Sequence, residues 1–191
     1  MRRRTLLQAG GTTLALGLAG CITRTSSTGD LAVSSSALTD GGEIPRRFTC
    51  DGRGISPPLT VESAPDATAA LAVVARSTVG VLDNPAFWTC WNIPAETTEI
   101  PAELPRTETL DALGGARQGT AGDGDPGYRP LCPPRNQPYD HWVQVYALDS
   151  ELDTAAGTGN EDALEAIEGA QIASDRITAS YTRTGTPTPS G

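Results

Sequence analysis

Apolar residues in this chain gather in short runs separated by Gly, Pro and Asp, and the runs have strand length rather than helix length. Five of them predict β-strands: Leu31–Ser35, Ala69–Arg76, Trp88–Ile93, Trp142–Leu148 and Ile177–Thr182. A single segment has helical spacing. Asn160, Glu161 and Asp162 offer a cap and first-turn acids, Ala163, Leu164 and Ile167 recur on one face, and Gly169 stops the pattern. Many strands with one short helix predict a mostly β fold, a β-sandwich. No internal repeat interrupts this reading.

The two ends follow different rules. Arg2, Arg3 and Arg4 precede an apolar and small-residue run, Ala9 to Gly20, that ends at Cys21. The run is too short to span a bilayer, which needs about 20 apolar residues. Arg3-Arg4-Thr5-Leu6-Leu7 looks like a twin-arginine export signal, and Leu18-Ala19-Gly20-Cys21 looks like a lipobox whose cysteine receives lipid. Residues 1–20 are therefore expected to be a signal peptide, and 21–30, rich in Ser and Thr, a tether holding a domain at the outer face of the cell membrane. Residues 184–191, a Thr/Pro/Gly/Ser stretch, are expected to be a disordered tail. Residues 31–183 remain as one domain, which the length of 191 residues also favours.

Charge narrows the partners. The formal net charge is −9, and all 14 basic residues are arginine. Without residues 1–20, eleven arginines face 23 acids, a balance of about −12 that argues against binding nucleic acid through its phosphates. An acidic, lysine-free surface resembles proteins that work in concentrated salt, where charge repulsion is screened. A GC-rich genome would remove lysine equally well.

Several loop motifs carry more specific information. Phe48-Thr49-Cys50-Asp51-Gly52, Ile55-Ser56-Pro57-Pro58-Leu59, Trp91-Asn92-Ile93-Pro94-Ala95, Gly127-Tyr128-Arg129-Pro130-Leu131-Cys132-Pro133-Pro134, and His141 before Tyr146-Ala147-Leu148-Asp149 occur in this order. Together they resemble the phosphatidylethanolamine-binding protein family, most of all its bacterial and archaeal Raf-kinase-inhibitor-like branch. The resemblance runs from about Leu31 to Arg183. It implies an antiparallel β-sandwich, one or two short C-terminal helices, and a small anion-accepting pocket at one end.

The pocket implied in this way is degenerate. Counting back from Trp91 without a gap, the family's His-Trp pair falls on Phe87-Trp88, and its Asp-Pro-Asp-Ala-Pro segment on Ser77-Thr78-Val79-Gly80-Val81. Both aspartates and that histidine are absent, and the family's helical Gly-His falls on Gly169-Ala170. The resemblance implies ligand contact for Ser56, Pro57, Ser77, Phe87, Tyr128, Pro133 and His141, with Tyr128 and His141 as the remaining donors, the latter adding a positive charge when protonated. Read without the family, His141 beside Asp140 is a surface or strand-end residue, and Tyr128 a turn tyrosine packed on Pro130.

Catalysis is not expected. Cys132-Pro133-Pro134 is a stiff segment with no evident activating base, and one His with no CxxC spacing makes a metal site improbable. No cofactor is implied. If Cys21 carries lipid, three cysteines remain; a Cys50–Cys132 disulfide between the motif-bearing loops, with Cys90 buried in a strand, stands against two other pairings and against three reduced thiols. The expected function is thus a membrane-anchored, non-catalytic binding module that holds a small-molecule or headgroup-like ligand weakly. The alternative is a protein-interaction or inhibitor module acting on a kinase- or protease-type partner.

Overall fold

In the computed structural model, residues 30–78, 85–122 and 124–184 are described. The signal peptide, Cys21, all but the last residue of the tether, Val79 to Val81 of the family's acidic segment, and the tail beyond Thr184 lie outside them.

Ten strands run in the order β1 (Ala32–Ser34), β2 (Gly42–Glu43), β3 (Leu59–Ser63), β4 (Ala70–Ser77), β5 (Ala86–Pro94), β6 (Glu99–Ile100), β7 (Thr109–Leu110), β8 (Ala116–Gln118), β9 (Pro138–Leu148) and β10 (Gln171–Thr182), with helix α1 (Asn160–Ala170) before the last. A three-stranded sheet has the order β1-β3-β6, and a seven-stranded sheet the order β2-β10-β9-β4-β5-β8-β7. All pairings are antiparallel except β2 with β10, which is parallel. The fold is the expected mostly β sandwich, with one mixed edge.

The five expected strands all form: the first is shorter than expected, Ala69–Arg76 appears shifted by one residue as β4, and the other three lie within longer elements. The main core lies between the sheets, where Phe48, Leu59, Leu71, Val73, Trp88, Ile93, Ile100 and Val145 are buried together. A second core forms on the other face of the large sheet. There Val74, Trp91, Tyr146 and Leu148 meet Ala163, Leu164 and Ile167, the three helical positions that recur on one face. β4 therefore has apolar residues on both faces, which is why Ala70 to Ala75 reads as a continuous apolar run rather than an alternating one.

Helix α1 starts differently from expectation. Its N-cap is Gly159, with no side-chain cap bond, and Asn160 is the first helical residue. The Asn160 amide is drawn inward instead. Its Oδ1 accepts from Thr89 Oγ1 at 2.8 Å, and its Nδ2 donates to the Ala86 carbonyl at 3.2 Å. Glu161 accepts from the Ala86 amide at 2.9 Å, so the first turn is stitched to β5. The helix ends at Ala170, and Gln171 is already extended, leading straight into β10.

Local motifs explain the loops. Asn92 takes φ of 55° inside β5, a conformation Asn tolerates better than most residues. Its side-chain amide exchanges two hydrogen bonds with the backbone of Leu152, pinning the segment that precedes α1. A side chain at Gly52 would place its Cβ 2.1 Å from the Arg46 carbonyl oxygen, so the turn that carries Cys50 closes only with glycine there.

Candidate functional site

Two spaces meet at the end of the sandwich where β4 finishes, β5 begins and the segment before β9 passes. The larger is a groove of about 590 Å³ whose walls include Ser77, Phe87, Leu131, Cys132 and the first turn of α1. The smaller is an apolar space of about 20 Å³ inside the sandwich, lined by Pro57, Phe87, Tyr128, His141 and neighbouring aliphatic side chains. Phe87 and Leu131 belong to both linings and form the partition between them.

His141 reaches this partition because β9 pairs with β4 in a register that sets it opposite Ser77. The imidazole Nδ1 lies 2.7 Å from Ser77 Oγ, and both residues are buried. Nε2 is buried without a hydrogen-bond partner. Burial lowers the pKa to about 4, against an opposing pull from Asp140. The ring is therefore neutral near pH 7, and the positive charge expected of it for an anion is absent. Phe87 meets His141 edge to face at a centroid distance of 6.3 Å, so the position the family gives to histidine supplies an apolar wall.

Tyr128 also differs from expectation. Its hydroxyl donates to the Phe48 carbonyl at 2.7 Å, the residue is 4% exposed, and burial pushes its phenol pKa up. A buried phenol needs a partner, and Tyr128 takes a backbone carbonyl rather than pointing into the groove. Its ring packs edge to face on Phe87 and Trp88. Its role is to fasten the Gly127–Pro134 segment to the turn containing Phe48.

Of the remaining expected contacts, Ser77 lines the groove, Phe87 lines both spaces and Pro57 lines the inner one. Ser56 and Pro133 line neither. The Ser56 hydroxyl accepts from the Leu104 amide at 3.0 Å, holding the strand-to-strand connection after β6, and Pro133 is buried in its own loop. Thr120, Arg129, Glu161 and Asp162 join the groove without having been expected as ligand contacts. Only the fold makes them neighbours, since they lie on the 119–129 segment and on α1, far apart in sequence.

Cys50 and Cys132 form a disulfide with their Cα atoms 5.3 Å apart, and Cys90 is a buried free thiol whose pKa is raised by burial. This selects one of the three pairings left open by the sequence. The bridge is supported by the backbone: Cys50 donates its amide to the Leu131 carbonyl at 2.9 Å. Cys132 lies on the groove wall, so the disulfide braces one side of it.

These features have counterparts in known proteins. The profile of the phosphatidylethanolamine-binding protein family matches residues 34–182, which takes in every strand from β2 to β10. A UPF0098 protein of Methanothermobacter thermautotrophicus is 35% identical over 147 residues, covering 77% of this chain and 95% of its own length. Another, from Pyrococcus horikoshii, is 32% identical over 150 residues, covering 78% and 75%. Among solved structures, Escherichia coli YbcL, described as a member of the mammalian PEBP family, superposes with a TM-score of 0.73 at 25% identity, over 80% of this chain and 98% of its own. A phosphatidylethanolamine-binding protein homologue from Chlamydia trachomatis gives 0.69 at 26% identity, over 82% and 99%. With the sandwich, the ordered loop motifs and the profile all coinciding on one domain, the chain belongs to the phosphatidylethanolamine-binding protein family.

Proposed function

We propose that this protein is an exported, lipid-anchored and non-catalytic binding module whose groove accepts a weakly polar ligand and discriminates against phosphate-type headgroups. The observation that carries this reading is the fate of the two expected donors. Tyr128 spends its hydroxyl on the Phe48 carbonyl, and His141 is buried and neutral with Nδ1 held by Ser77. The groove that remains combines apolar walls from Pro85, Ala86, Phe87 and Leu131 with two acids, Glu161 and Asp162, and one base, Arg129, in its lining, so its charge balance does not favour an anion.

Isothermal titration with phosphoethanolamine at low and high salt tests the ligand preference. The expected result is no binding below the millimolar range. Micromolar binding that His141→Ala abolishes overturns the reading. Anchoring rests on Arg3-Arg4 and Leu18-Ala19-Gly20-Cys21, and the Cys50–Cys132 bridge suits an oxidising compartment. Cys21→Ser moves the protein from the membrane to the soluble fraction; retention in the membrane refutes the anchor. One acyl chain gives only marginal attachment, so a stable anchor needs two chains or one long lipid.

A further inference from the structure

The charge of the domain is unevenly spread. Five of the ten arginines among the described residues, Arg46, Arg47, Arg53, Arg135 and Arg183, meet where the turn after β2, the segment before β9 and the end of β10 come together. The disulfide joins the first two of these segments, and the Asn136 amide bonds the Arg183 carbonyl at 2.8 Å, joining the third. Two carboxylates sit within the cluster. Asp51 pairs with Arg183 at 3.0 Å and also feels Arg46, and Glu103 pairs with Arg53. The other guanidinium contacts are with neutral groups: Arg46 bonds the Asp51 carbonyl at 2.8 Å, Arg135 bonds the Thr184 carbonyl at 2.9 Å, and Arg47 lies 4.7 Å from the centroid of the Phe48 ring. Arg46, Arg47 and Arg135 are all exposed. On the sheet side the patch is bounded by Glu43 and Asp140, which flank Ser180 in register.

We propose that this arginine-rich end docks a short carboxylate-rich segment of another protein. Guanidinium forks match carboxylates in bidentate pairs, and here they stand on loops already fixed by a disulfide, so little ordering is required on binding. A long polyanion is disfavoured because it extends beyond the patch onto a body that carries the negative balance of a −9 chain. A lipid surface is disfavoured by geometry. The chain enters the domain at Asp30, whose carbonyl accepts from Ser63 Oγ at the far end of β3 from the Arg53 turn, so an N-terminal tether arrives at the end remote from the patch.

The test uses the full chain as the Cys21→Ser variant, which brings no lipid of its own to a bilayer, in detergent-free buffer with a fluorescein-labelled hexaglutamate peptide, and heparin and anionic phosphatidylglycerol vesicles as comparators, in 20 mM and 150 mM salt. The expected result is saturable peptide binding that weakens at the higher salt and falls roughly tenfold or more in the Arg46→Glu/Arg135→Glu variant. Arg176→Glu, on the open face of the large sheet, leaves it unchanged. Arg46→Lys/Arg135→Lys keeps the charge, preserves folding and still weakens binding, because the fork is lost. Equal loss in the Arg176 variant, full binding by either double variant, or tighter binding of heparin or vesicles than of the peptide overturns the proposal.

Discussion

The buried, neutral His141 makes the stability of this domain depend on pH in a window that few other groups share. Its pKa is about 4 in the folded protein against 6.5 for an ordinary histidine. Between these values the unfolded chain binds the proton that the folded chain refuses, so stability is complete above about pH 6.5 and falls as the pH drops towards 4. A difference of 2.5 units corresponds to about 3.4 kcal/mol in full, of which about 2.5 kcal/mol is lost by pH 4.5. His141 is the only histidine, so no second imidazole blurs the window. Asp51, whose pKa is held below the ordinary value chiefly by the Tyr181 hydrogen bond with help from Arg183, adds a loss of the same sign, but below pH 4. Urea denaturation at half-unit steps from pH 7.5 to 4.5 measures the slope, and the carbon-13 shift of the His141 ring gives the folded pKa directly. His141→Phe should be nearly flat between pH 7 and 5. A flat wild-type profile, or an equal slope in the variant, refutes the account of His141 as a desolvated neutral ring.

Three further outcomes follow from the same contacts. Ser77→Asp puts a carboxylate at the position now 2.7 Å from Nδ1, so the His141 ring titration should move up by at least about one unit; no movement shows that the replaced side chain turns away. Removing the disulfide by Cys50→Ser/Cys132→Ser opens a link across 82 residues, for which the chain-entropy model gives about 4.5 kcal/mol, read as a lower denaturant midpoint; with Cys21 lipidated, thiol counting in denaturant without reduction should find one free thiol, Cys90. Gln118→Leu leaves the Trp88 indole donor and the Pro105 and Thr107 carbonyls without their present partners at 2.8–2.9 Å, and should lower stability by about 2–4 kcal/mol in chemical denaturation.

The parts of the fold that were legible in the sequence are those whose burial writes itself as an apolar run. β4 is covered on both faces, and the apolar stretch of β9 packs both into the sandwich and under the helix, so neither can carry polar residues there. The strands that were not predicted, β2, β3, β6, β7 and β8, have between two and five residues. A run so short holds one or two inward positions: Leu59 and Val61 in β3, Ile100 in β6, Leu110 in β7. The first half of β10 was missed for another reason. From Gln171 to Arg176 it is exposed or half-buried, because β2 pairs with only Ala179 and Ser180 and leaves the rest of that edge without a ladder. Composition alone reads such a strand as a polar loop.

The site was legible as a neighbourhood and illegible as chemistry, and the difference lies in where hydrogen bonds go. The ordered motifs bring Ser77, Phe87, Tyr128, Pro57 and His141 to one end of the sandwich. Residue type counts Tyr128 and His141 as donors, but availability depends on burial and on competing partners. The Phe48 carbonyl lies in a turn whose position is set by Gly52, 76 residues before the tyrosine that bonds it. The imidazole is neutral because the aromatic and aliphatic lining around it excludes water, a property of eleven other residues drawn from segments far apart in the chain. Asn160 follows the same logic in reverse. Its type and place suggest a helix cap, yet Thr89 and Ala86 lie close enough to capture its amide, and Gly159 takes the cap position without a side chain to fill it. Where a polar residue in this domain is buried, its partner rather than its type decides whether it serves ligand or scaffold. That distinction makes Ser77, which lines the groove and whose hydroxyl meets His141, the residue through which a change at the site is most directly read.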